Sequence, residues 1–166
     1  MAQQTFRVKL EGAAELKEAL LGLRLRGSSR IAKNAVRNAL LKAGKPIAAH
    51  ARSLARIRSG QLKRTIRVST TLSRRQKRTR AKGADPTETT VYIGAGPSRH
   101  AHLIEFGTGE RFWRSGKSTG ASQPHPFLRP AWDAGKMRAL AEFGRLLWIE
   151  IERAAKRLAK RQAKKG

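Results

Sequence analysis

The chain has 166 residues, with 37 Lys and Arg against 11 Asp and Glu, giving a formal net charge of +26 and a sequence pI near 11.9. It has no cysteine, which excludes disulfides and thiolate metal centres and fits an intracellular chain. The opening "MAQQTFRVKLEG" lacks the apolar run of a secretory signal, and no segment reaches the roughly 18 uncharged apolar residues of a membrane span, so a soluble protein with no membrane partner is expected.

Alternation of Phe6, Val8 and Leu10 predicts a short strand over residues 5–10. Leu16, Leu20 and Leu23 then recur at helical spacing, which predicts a helix from Ala13 to Leu25 that Gly27 stops. Ser28 and Ser29 are candidate caps for a long helix reaching about Arg56, built on Ala32, Val36, Ala39, Leu40, Ala43, Ile47, Ala51 and Leu54. Pro46 removes an amide donor inside that pattern, so the helix should kink or split after Gly44.

Strands are predicted from about Thr65 in "QLKRTIRVSTTL" and from Thr87 in "TETTVYIGA". Between them, residues 73–86 hold six basic side chains from Arg74 to Lys82 and no large apolar one, so a mobile basic loop is expected. The Gly- and Ser-rich segment 109–124 reads as a second, flexible loop. From Ala131 to about Arg161 the series Met137, Leu140, Gly144, Leu147, Ile151, Ala154 and Leu158 predicts a long amphipathic helix, with Trp148 broadening its apolar face and residues 162–166 fraying. Together these elements predict an α+β fold of one domain, residues 1–166. Its small antiparallel sheet packs against a long kinked helix and a long C-terminal amphipathic helix.

The charge is unevenly placed. No acidic residue lies between Glu18 and Asp85, where nineteen Lys and Arg fall. Such a field implies an anionic neighbour, either nucleic acid, an acidic protein surface or anionic lipid. Basic arrays bind phosphates through counterion release without reading bases. Arg74, Arg75, Lys77, Arg78, Arg80 and Lys82 are therefore candidates to face DNA. Phe112 and Trp113, large aromatics on a polar loop, are candidate subunit contacts, together with Trp148 on the last helix.

Catalytic and metal-binding patterns are sparse. "GAGPSR" from Gly94 lacks the third glycine of a dinucleotide loop, and Pro97 interrupts its amides, so it reads as a turn after a strand. His100, His102, Glu105 and His125 are ligand types for zinc or iron. The spacing of the first two, however, suits only an extended segment, and no metal or other cofactor is expected. No serine lies in a nucleophile elbow, and Glu105 is the sole carboxylate in a plausible pocket, so no enzyme is expected. In "HLIEFGTG", Gly107 and Gly109 supply turn conformations, Leu103, Ile104 and Phe106 anchor the segment in the core, and Glu105 is expected to pair with Arg129.

Several stretches resemble the small head-to-tail joining proteins, the neck and tail-completion components, of lambda-like long-tailed bacteriophages. They are "VKLEGAAELKEAL", "ALLKAGKPIAAHARSLARIRSGQLKRTIRV", "HLIEFGTG" and "PFLRPAWD". Ser59-Gly60, Leu62, Lys63-Arg64 and Ile66 match one family pattern. Glu105, Phe106, Gly107 and Thr108 match a second, and Pro126, Phe127, Arg129 and Pro130 a third. The resemblance implies a non-enzymatic virion protein of the head-tail interface, assembled in the host cytoplasm. As its partners it implies copies of itself in a ring, neighbouring head-completion and tail proteins, and packaged double-stranded DNA. A different reading, resting on charge alone, is a free nucleoid-type protein that binds DNA without sequence preference.

Overall fold

The computed structural model describes residues 13–26, 29–56, 60–72, 89–96, 98 and 100–164. The elements are α1 (Ala13–Arg26), α2 (Ser29–Ala43), α3 (Lys45–Leu54), α4 (Gln61–Thr65), β1 (Ile66–Ser69), β2 (Tyr92–Ala95), α5 (Ala101–Phe106), β3 (Thr108–Phe112), β4 (Ser118–Ser122) and α6 (Leu128–Ala163). The fold is α+β, as the hydrophobic periodicities predict. The strand expected over residues 5–10, the Ser28 cap and the basic loop with its six DNA-facing candidates lie outside the described residues.

Two compact units are formed, one by residues 44–139 and the other by the segments before and after them. The N- and C-terminal segments make a helical unit from α1, α2 and the part of α6 beyond Leu140. Leu16, Ala19, Leu20 and Leu23 repeat along one face of α1 and pack with Ile31, Ala35 and Ala39 of α2 and with Leu147, Ile151 and Ala154 of α6. Much of this core is alanine, so its stability comes from close helix approach more than from bulk. Trp148, expected on the apolar face, is 44% exposed.

The central unit begins where the long helix breaks. α2 and α3 are separated by Gly44 alone, which keeps right-handed helical angles, and Pro46 stands in the first turn of α3. A proline there sacrifices only an amide that a helix start leaves unpaired anyway. β1 pairs antiparallel with β2, with Ile66 opposite Ala95 and Val68 opposite Ile93. The Arg52 Nε of α3 donates to the Ile66 carbonyl at 2.9 Å, tying helix to strand. Ile47, Ala48, Ala51 and Ala55 meet Ile66, Ala95, Phe127 and Ala131 in the core of this unit. α6 comes close to α3 because residue 135 is glycine: a Cβ there would lie 2.7 Å from Ile47 Cγ1.

The strand expected from about Thr65 starts at Ile66, directly after a short helix over residues 61–65. Two expectations are corrected in this unit. The segment 109–124, expected as a flexible loop, carries an antiparallel hairpin in which Thr108 faces Ser122 and Phe112 faces Ser118. The second concerns Met137, placed on the apolar face by its spacing, which is 60% exposed.

Candidate functional site

The two sequence motifs "HLIEFGTG" and "PHPFLRPAW" meet at one carboxylate. Glu105 stands near the end of α5 with only 7% of its surface exposed. Its Oε2 accepts the backbone N–H groups of Phe127 at 2.9 Å and Leu128 at 3.0 Å, and its Oε1 accepts that of Arg129 at 2.9 Å. These are the amides that the start of α6 leaves without helical partners. The next residue, Pro130, has no N–H to satisfy. One carboxylate thus completes the helix start, and its charge complements the positive end of the helix dipole.

The expected partner of Glu105 is thereby corrected: it holds the backbone amide of Arg129 and two more, rather than the guanidinium. Phe106, expected in the core, is 70% exposed, whereas Ile104 packs against the core. His102 lies in α5, which is helical from Ala101 to Phe106, so it does not stand in the extended segment that a metal pair with His100 at this spacing would need. No group of three or more His, Asp or Glu side chains among the described residues is placed to hold a metal ion. Gly107 follows with φ 70° and ψ −174°, and turns the chain into β3. The hairpin returns through Pro124 to His125, whose N–H donates to the Ile104 carbonyl at 2.7 Å. The Ser122 N–H donates to Thr108 Oγ1 at 3.2 Å.

Between these segments lies a cleft of about 790 Å³. Arg56, His100, Arg111 and His125 line it along with the hydroxyls of Ser98, Thr108 and Ser122, over Leu62, Leu103 and Ile104. Arg56 Nη1 approaches His125 Nε2 at 2.7 Å. A guanidinium can only donate, so Nε2 accepts and the ring proton resides on Nδ1. Sequence reasoning missed this cleft, since Arg56 and His125 are 69 positions apart and belong to no common motif.

Among the described residues of the helical unit the buried carboxylate is Glu150. It accepts hydrogen bonds from Lys42 Nζ at 2.5 Å, Arg153 Nη1 at 3.0 Å and Asn38 Nδ2 at 3.3 Å. Burial works to raise its pKa, but the bonds from Lys42, Asn38 and Arg153 outweigh it and hold the carboxyl below its ordinary range. A depressed carboxyl pKa gives stability that is present above the unfolded value and lost as pH falls through the folded one. Glu150→Gln should therefore cost about 1–2 kcal/mol near pH 7, a deficit that shrinks steadily on acidification below about pH 5. Parallel urea titrations of both proteins across that range measure it; a pH-independent difference would contradict this role.

Phe112 and Trp113, on the hairpin, are each 64% exposed, and every residue of β4 is exposed. Among the described residues no helix is long and apolar enough to cross a membrane.

Both carboxylates buried among the described residues are thus engaged in holding chain segments in place, and the exposed large apolar side chains include Phe112 and Trp113. Comparison with protein families identifies the group: residues 23–107, just over half of the chain, match the family described as "Bacteriophage HK97-gp10, putative tail-component", and the chain belongs to that family. Membership implies a structural role in the phage virion and contact with other virion proteins. No curated protein and no solved structure was matched.

Proposed function

We propose that the protein is a non-enzymatic component of the head-tail connection, a neck or tail-completion protein forming a ring around the DNA passage. The observation that carries this is the family match, which ends at the Glu105–Gly107 motif described above. The basic surface supports it further. Arg30, Lys33 and Arg37 are exposed on α2, and Arg153, Lys156, Arg157, Lys160 and Arg161 are exposed on α6. Cations on such positions suit packaged DNA, which offers a phosphate about every 1.7 Å of axis and requires no base readout.

Rings are built from heterologous interfaces, in which one patch meets a different patch of the next subunit. The exposed aromatics Phe112 and Trp113 are suited to one side of such an interface. Imaging of particles made without this protein tests the reading: filled heads and finished tails should accumulate unjoined. Normal joining, or absence of the protein from purified virions, would overturn it. A strongly salt-dependent duplex affinity that remains useful at physiological ionic strength would instead favour a free DNA-binding role.

A further inference from the structure

We infer that the cleft between α4, α5 and the β3–β4 hairpin is a docking site for an acidic peptide segment of a partner protein, one that presents a carboxylate beside an aliphatic side chain. The cleft chemistry carries this whether or not the neck placement holds.

Guanidinium and hydroxyl donors dominate the polar lining, through Arg56, Arg111, Ser98, Thr108 and Ser122, with the imidazoles of His100 and His125 beside them. No carboxylate among the described residues lines the cleft, and none forms an ion pair with Arg56 or Arg111. An anion is therefore the complementary occupant. The bond from Arg56 to His125 uses one N–H of a guanidinium fork and holds that side chain across the cleft, leaving further donors for a carboxylate.

Shape and floor choose among anions. Leu62, Leu103 and Ile104 form an apolar base, which a bare phosphate would leave unfilled and an aliphatic side chain would cover. At about 790 Å³ the cleft has the size of a site for a compact ligand or a few side chains. A duplex presents its phosphates on a broad convex backbone and would leave such a concavity empty. Charge complementarity and an apolar floor together fit an acidic, partly aliphatic peptide.

The test uses the full-length protein and the peptide acetyl-Leu-Asp-Glu-Leu-amide, followed through the ring signals of His100 and His125 and the methyl signals of Leu103 and Ile104. Saturable shifts at these positions are expected, with a dissociation constant on the order of 1 mM. The neutral peptide acetyl-Leu-Asn-Gln-Leu-amide should bind at least about tenfold more weakly, because the cationic cleft rejects a ligand that leaves its donors without an anion. Arg111→Gln, on an exposed strand, and Arg56→Gln should each weaken the acidic peptide by about tenfold while the core methyl signals stay in place. Equal binding of the neutral peptide, or full affinity in Arg111→Gln, would overturn the proposal. So would equal shifts from inorganic phosphate or a short DNA duplex, which would make this a general phosphate site.

Discussion

Glu105→Ala should lower the unfolding free energy by about 3 kcal/mol, among the largest losses expected from a single substitution in this protein. The carboxylate accepts three backbone amides, from Phe127, Leu128 and Arg129. Hydrogen bonds to a charged acceptor are worth about 1.5–3 kcal/mol each, but bonds sharing one acceptor do not add fully. Loss of an ordinary helix cap costs about 0.5–2 kcal/mol, and here the group lost is buried and stands before 36 residues of helix.

Glu105→Gln refines the argument, because it keeps the volume but leaves one oxygen, with an NH₂ turned toward amides that also donate. It should cost roughly half as much. Urea titration measures both losses, and hydrogen exchange should localise them: the amides of Phe127, Leu128 and Arg129 should lose protection first. A fully stable Gln variant would show that the carboxylate does not hold the helix start.

The sequence made the long periodic elements legible. Leu16, Leu20 and Leu23 announce α1, and Pro46 announces the break at Gly44. The tract from Leu147 to Leu158 shows the buried stripe of α6. Short elements were not legible for a physical reason. α4 has five residues and α5 six, too few for a periodic pattern, and helices so short depend on tertiary contacts. The partner of Glu105 was misread because counting charges favours a guanidinium, and an excess of arginine makes that choice tempting. A signal was nevertheless present in "PFLRP": a proline in the first helical turn marks a helix start whose remaining amides need an acceptor. Phe106 and Met137 show the opposite failure, since apolar character at helical spacing says that a residue can be buried, not that the fold has room to bury it.

Gly107→Ala should cost about 3 kcal/mol or more, for two independent reasons. At φ 70° and ψ −174° the backbone occupies a region that is essentially restricted to glycine. A Cβ would also lie 2.7 Å from the Ser122 carbonyl oxygen and 2.8 Å from the Pro124 nitrogen. Both are main-chain atoms, so no side-chain rotation relieves the contact; the returning strand itself must move.

That strand leads through His125, which is bonded to Ile104, to the amides held by Glu105. Displacement of residue 124 should therefore weaken the helix start as well as the turn, and exchange protection should fall at His125 and Phe127 together. Gly109→Ala is the internal control from the same "GTG" run. A Cβ there meets nothing within 4 Å and the backbone is not at positive φ, so a change within about 0.5 kcal/mol is expected. Thermal or urea unfolding of the two variants side by side settles the matter. If they prove equally mild, neither the close approach nor the backbone angles at Gly107 can be what brings the two motifs together.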